Sequence, residues 1–338
     1  MNSSSSEHDG GNRWRLQIIL LVGTFAGSWA SILGRIAQDE GVPTFVLIAF
    51  RMTLGFLVLT PFVLRRHQEA LKRLRSRDVL VAGAAGFWMA IHLMLGFSGL
   101  EHTSILVNGV LGGTLPLWVA LLETYVLKTR LNVLIWVGLF LTLGGGVVIT
   151  LSSSSDLSLG DNPLLGSILS ASAAIAGAIY AIIGRGSRER IPFLPYLWLV
   201  FIAGSITTLC LTSLMRYSFT GYSPTAYFAL VMLTILPQLI GHSAYNYSLR
   251  KLPATYSSVV GQLGIIISAV LAYFLFNEIP HTLQLPGSLL ILGGITLVNL
   301  SSRQLTRQKA SRQAESKVIR YAGPGLHWRN ILGQHHRH

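Results

Sequence analysis

Of the polar and aromatic side chains inside the long apolar runs of this sequence, nine have the chemistry to hold a solute: Trp29, Arg51, His92, Tyr180, Gln238, His242, Tyr245, Asn246 and Gln262. Polar groups in hydrocarbon are costly and face a partner or a water-filled cavity, so each is a candidate substrate-binding residue. Arg51 can attract an anionic group, or can bridge backbone carbonyls or a carboxylate as a structural cation. His92 and His242 carry imidazoles, which titrate near neutral pH and can pass protons, or can serve as neutral hydrogen-bonding core groups. The indole, phenols and amides suit an aromatic-walled cavity with a few orienting dipoles; the same side chains can instead face lipid or neighbouring helices. Glu123 reads as an interfacial carboxylate and Glu278 as a structural residue of a turn. Pro116 and Pro237 fall inside helical runs, where a lost backbone bond makes a hinge or a static kink.

The elements that must position these groups follow from composition. The 338 residues are 51% hydrophobic and only 12% charged, with a mean hydropathy of +0.54. That balance belongs in lipid, and the apolar residues come in blocks of about 20, the length of a membrane-crossing helix. The expected spans are 15–34, 43–64, 78–99, 104–127, 132–151, 163–184, 194–215, 224–248, 255–277 and 285–302. The fold class is therefore an all-α membrane protein of ten transmembrane helices. Arg51 then lies about 12 Å along the second helix, in its outer half. The first block is too long for a signal-peptide core and no A-x-A-like site follows it, so a retained helix is expected.

A net charge of +13 raises the question of nucleic acid, but topology accounts for it better. With the N-terminus inside, 23 of the 26 Lys and Arg fall on the cytoplasmic side, Arg35 and Arg216 outside, and Arg51 within a helix. Both termini are expected in the cytoplasm. The single cysteine, Cys210, excludes an internal disulfide and any multi-cysteine metal site. The tail from Arg303 to His338 has one acid, Glu315, against eight basic residues, and is expected to stay solvated or to lie on anionic lipid. Its His335, His336 and His338 read as tail residues before they read as a weak metal site.

The two halves resemble each other at an offset of 150. Ala26, Gly27, Ile32, Gly34 and Arg35 align with Ala176, Gly177, Ile182, Gly184 and Arg185, and His92 and Ser98 with His242 and Ser248. After one residue of slippage Gly112, Gly138, Gly144 and Gly145 meet Gly261, Gly287, Gly293 and Gly294. Sparse residues kept in order through a whole half argue for a repeat. Units of five helices are odd, so the second enters the membrane inverted, the arrangement that underlies alternating access around a midplane site. The units are 15–151 and 163–302, flanked by tails 1–14 and 303–338. The glycines of the fifth and tenth helices read as close packing or a dimer face, which leaves the other eight helices to form the cavity. Connections are short, and no G-x-x-x-x-G-K-[ST] string is present, which disfavours a built-in ATP motor.

Residues 15–302 resemble the drug/metabolite transporter superfamily, specifically its ten-helix EamA-type members. The likeness rests on Ser28-Trp29-Ala30-Ser31 through Gly34-Arg35, Ala49-Phe50-Arg51, and Phe97 through Ser104 with Leu115-Pro116-Leu117 after it. In the second unit it rests on Asn246 through Pro253 and on Asn277-Glu278 before Gly287 and Gly293-Gly294. Lys128-Thr129 stands where the family often has Gly-Glu, and Ile265 where a proline is common. The resemblance implies a secondary transporter, often an exporter of amino acids, drugs or other small metabolites, with no enzymatic activity and no cofactor or metal.

Two other classes fit parts of the sequence. Gly96-Phe97-Ser98-Gly99 with His242 on a later helix could form the dyad of an intramembrane serine protease, but so short a string recurs by chance. A scaffold or receptor would lack a midplane cavity. The expected partners are the lipid bilayer and a small-molecule substrate, with protons as a candidate coupling ion, a homodimer as a candidate assembly, and no nucleic acid. The expected location is a multi-pass integral membrane protein, in the plasma or inner membrane if bacterial.

Overall fold

The structure is a computed structural model, which describes residues 4–115, 117–119, 121–122, 133–153, 161–183, 191–244, 254–280, 282–297 and 300. Every regular element among them is helical. In chain order these are α1 (Ser4–Asp39), α2 (Thr44–Arg66), α3 (Gln68–Lys72), α4 (Ser76–His102), α5 (Ile105–Gly112), α6 (Val133–Ser153), α7 (Pro163–Ile183), α8 (Phe193–Leu214) and α9 (Pro224–Leu233). A π-helical stretch, Thr234–Gly241, continues α9, followed by α10 (Ala254–Phe276) and α11 (Gln284–Leu297).

Among the described residues six helices are long and apolar enough to cross a membrane: Trp14–Asp39, Thr44–Arg66, Ser76–His102, Pro163–Ile183, Phe193–Leu214 and Pro224–Ala244. The expected spans 104–127, 132–151, 255–277 and 285–302 coincide with shorter apolar helices. The first expected span ended at residue 34, yet α1 runs on to Asp39, so Arg35 lies in its last turns rather than in a loop. Likewise α4 reaches His102, which brings Glu101 into the helix. Hydropathy alone stops a helix at its first charge; these charges continue because each finds a partner at the helix end. Serine side chains start two helices: Ser104 accepts from the Val107 amide and Ser223 from the Ala226 amide, satisfying donors that a helix N-terminus leaves open.

Large apolar side chains line the outside of the bundle, among them Ile18, Leu21, Val22 and Phe25 of α1, Phe62 of α2, Phe140 of α6 and Phe274 of α10. An apolar exterior of that extent, on helices of membrane-crossing length, fits a surface turned to lipid. Between helices, small residues replace bulk. On α7, Gly166, Ser170, Ala173 and Gly177 form one stripe against α4; a Cβ on Gly99 would lie 2.5 Å from Ser170 Oγ and 3.0 Å from Gly166 O. A Cβ on Gly86 of α4 would lie 2.5 Å from Val200 O of α8, and one on Gly241 would lie 3.2 Å from Gly23 O of α1. A Cβ on Gly145 of α6 would lie 2.6 Å from Gly287 O of α11, in line with the packing role expected for the paired glycines.

The pairing of helices crosses the two halves of the chain. α4 packs on α7, and α1 on α9 with its π-helical extension; α5 packs on α7, and α1 on α10; α2 packs on α8, and α5 on α10. Hydroxyls bridge several of these seams. Thr53 and Ser205 lie 2.7 Å apart between α2 and α8, Trp198 Nε1 donates to Thr60 Oγ1 at 2.9 Å, and Ser268 Oγ donates to Ser28 O at 2.7 Å.

The π-helical stretch has a local cause. Pro237 has no amide hydrogen for the carbonyl four residues back, and the helix widens by one residue around it; the His242 amide bonds to Pro237 O, five residues earlier. The kink-or-hinge expectation for Pro237 thus resolves into a register change that turns Gln238 inward, where it is fully buried.

Candidate functional site

Two elements from opposite halves meet at Arg51. This residue stands on the third turn of α2 and is 3% exposed. Its Nε donates to Gln238 Oε1 at 2.5 Å, and Gln238 Nε2 donates back to Arg51 O at 3.2 Å. Space for the amide comes from Gly55, one turn further along α2: a Cβ there would collide with Gln238 Nε2 and lie 3.0 Å from Phe201 Cδ2. The Phe97 ring of α4 covers the guanidinium, with Cζ 5.7 Å from its centroid.

What this arrangement lacks is an anion. Among the described residues no carboxylate pairs with Arg51, and its terminal nitrogens have no hydrogen-bond partner. Removing a charge from water costs several kcal/mol even after relaxation, and one amide and one ring return only part of that.

His92 lies on α4, five residues before Phe97, and within electrostatic range of Arg51. Its Nδ1 is 2.7 Å from Ala173 O of α7. A carbonyl only accepts, so Nδ1 carries the hydrogen and Nε2 of the neutral ring is left as an acceptor. Gly177 permits the approach: its Cβ would lie 2.8 Å from Nδ1. Trp29 and Tyr180 are half-buried and pack against the same apolar core. His242 is half-buried at the end of the π-helical stretch, beside the Gly241 contact with α1. Tyr245, Asn246, Pro116 and Glu123 lie outside the described residues, as does the side chain of Gln262 on α10. Ser98 and His242, the dyad of the protease reading, sit on elements with different principal partners: α4 packs on α7 and α8, the π-helical stretch on α1.

Sequence reasoning missed a second polar cluster, at the end of the bundle where α1 turns into α2. Arg35 Nη2 donates to Thr103 O at 2.6 Å and lies 3.7 Å from Glu278 Oε1. Glu278 Oε2 accepts from the Ile105 amide at 2.9 Å, so one carboxylate ties the start of α5 to the end of α1. Beside them Gln38 Nε2 donates to Thr44 Oγ1 at 2.9 Å and to Phe97 O at 2.8 Å, and Thr44 in turn donates to Glu101. Burial pushes the Glu278 carboxyl above its ordinary range, against the opposing pull of the Ile105 amide and the Arg35 charge. The structural role expected for Glu278 fits this bracing. The signal was present in the charges at 35, 101 and 278, each near a span boundary, but boundaries are where apolar periodicity says least.

Comparison with known proteins adds to the geometry. The sequence pattern of the EamA-like transporter family matches residues 14–151 and 164–300. The chain is 22% identical over 293 residues to the uncharacterized transporter YdfC of Bacillus subtilis, covering 86% of this chain and 94% of that one. It is 23% identical over 277 residues to the pseudopaline exporter CntI of Pseudomonas aeruginosa, covering 81% and 93%. It is 26% identical over 274 residues to the S-adenosylmethionine uptake transporter of Rickettsia prowazekii, covering 80% and 87%. One protein of known crystal structure shares the fold with a TM-score of 0.60 at 20% identity, over 86% of this chain and 99% of that one.

Proposed function

We propose, from the premise that this chain belongs to the EamA-like transporter family, that it is a secondary transporter which exports small organic metabolites by alternating access. Ten helices cross the membrane as two inverted units, 15–151 and 163–302, with both termini in the cytoplasm. The tail after residue 303 lies on the cytoplasmic face.

The observation that carries this reading is the crossed pairing of helices. Shifting the chain by the 150-residue offset turns α1 into α7, α2 into α8, α4 into α9 with its extension, and α5 into α10. Under that shift the α4–α7 contact becomes the contact of the α9 extension with α1, α5–α7 becomes α10–α1, and α2–α8 and α5–α10 return to themselves. A contact scheme that maps onto itself in this way supports a pseudo-twofold relation between the units. Two near-equivalent packings of such halves open the centre to one side and then the other. In this reading the cluster of Arg35, Thr103, Glu278, Gln38, Thr44 and Glu101 closes the outer end. Arg51, Gln238, His92, Trp29 and Tyr180 belong to the central region, with His242, Tyr245, Asn246 and Gln262 completing it.

The test is flux through purified protein in liposomes. A mixed pool of amino acids and small metabolites is loaded inside or outside, with and without a pH gradient, and followed by mass spectrometry against empty liposomes. Selective movement of particular compounds supports transport, faster release than uptake from inside-facing protein supports export, and no selective flux in any arrangement overturns the reading. Proton coupling through His92 or His242 fails if pH-dependent flux survives in both His92→Ala and His242→Ala.

A further inference from the structure

The uncompensated cation at Arg51 points to the substrate. We infer that Arg51 is the carboxylate-binding residue of the transport site and that this protein moves solutes carrying one carboxylate; this rests on the transporter reading and deepens it.

Three observations converge. The guanidinium is almost wholly enclosed yet has no anionic partner among the described residues. A structural arginine buried to that degree normally spends its terminal N–H groups on backbone carbonyls or a carboxylate. Among the described residues its side-chain hydrogen bonds are confined to Nε, which leaves the donors of both terminal nitrogens available to a ligand.

The second observation is orientation. Gln238 grips the Nε edge while also bonding the Arg51 carbonyl, and Phe97 covers the face. What remains is the end-on edge, two parallel donors in one plane, which matches a planar carboxylate in bidentate contact. Because the fork is fixed in advance, a carboxylate docks without freezing a flexible side chain.

The third is charge. Among the described residues no second permanent cation stands beside the guanidinium, so it balances a single negative charge, which favours a monoanionic carboxylate over a dianionic phosphate. The same element placement makes the site responsive: Arg51 and Gln238 come from different halves, so relative movement of α2 and the π-helical stretch would alter the grip on the fork and with it the affinity.

The experiment uses the full-length protein in liposomes with matched pairs of probes: amino acids and simple monocarboxylic acids against their primary amides, and against the corresponding phosphate monoesters. Wild type is expected to move the acids at least about tenfold faster than the amides. Arg51→Met should cut flux of the acids by about 100-fold, the loss that goes with removing a charged bidentate contact. Arg51→Lys should recover only part of it, because an ammonium cannot present two coplanar donors. Gln238→Met, which frees the fork while keeping the cation, should raise the half-saturating concentration but preserve the acid-over-amide preference. Equal flux of acid and amide by the wild type, or a phosphate monoester preferred over its acid, overturns the inference while transport stands. Absence of any selective flux by the wild type overturns the transport reading itself. Should Arg51→Met fail to fold, the wild-type acid-to-amide ratio decides alone.

Discussion

Replacing Gly86 by alanine tests whether the close seam between α4 and α8 is as tight as described. The new Cβ would sit 2.5 Å from Val200 O, 2.7 Å from Ala203 Cβ and 3.1 Å from Gly204 N. Ordinary C···O contact is roughly 3.3 Å, so α4 must retreat from α8 by about 0.8 Å, and two of the three obstacles are backbone atoms that cannot rotate away. Overpacking of that kind costs about 1–3 kcal/mol. Alanine also gains up to about 1 kcal/mol over glycine in helix propensity, which would mask part of the loss. Gly83 supplies the correction. It lies one turn earlier on the same helix, and nothing stands within 4 Å of its Cβ position. The stability difference between Gly83→Ala and Gly86→Ala therefore cancels propensity and leaves the packing cost, about 1–3 kcal/mol against Gly86→Ala. Unfolding in mixed micelles, with denaturing detergent titrated and far-UV circular dichroism as readout, measures it. Equal stability of the two variants would refute the seam.

Glu278→Gln should flatten the pH dependence of stability. Burial raises the carboxyl's pKa in the folded state, so its contribution is fully present below the unfolded value and is lost as pH rises through the folded value, whereas a neutral amide does not titrate. The same micelle titration at several pH values checks it, by whether the wild-type slope exceeds that of the variant. Thr53→Val and Ser205→Ala, taken singly and together, should show a coupling of about 0.6 kcal/mol, the average for such pairs in membranes; additive losses would mean that the 2.7 Å contact contributes nothing. Gly177→Ala places a methyl 2.8 Å from His92 Nδ1 and 2.6 Å from Leu115 Cδ1, and should reduce flux several-fold, while Gly96→Ala, 3.7 Å from Ala173 Cβ, should not. Flux assays in liposomes separate the two.

Much of the fold was legible because lipid leaves a simple mark. The spans at 43–64, 163–184 and 194–215 fall within a residue or two of α2, α7 and α8, since each is an unbroken apolar run between turn residues. The reading failed where polarity was satisfied inside the bundle. Arg35 and Glu101 looked like loop residues because a sequence shows the charge but not the Thr103 carbonyl that accepts from Arg35 or the Thr44 hydroxyl that donates to Glu101. Arg51 and His92 were found by their type alone. Their partners, Gln238 and Ala173, lie 187 and 81 residues away, and only the crossed pairing of helices brings them together. The π-helical stretch had a visible cause in Pro237 but no visible register, because a proline permits a kink, a bulge or a break equally.

That crossed pairing also sets a timetable for synthesis. α1 leaves the ribosome first, yet Gly23 and Gly27 on it find their counterpart at Gly241, about 200 residues later. At roughly 5–20 residues per second, α1 waits on the order of 10–40 s in the bilayer with its glycine-lined face against acyl chains or an insertion factor. The first half alone cannot complete this seam, and a chain truncated before Gly241 would leave that face of α1 without its partner.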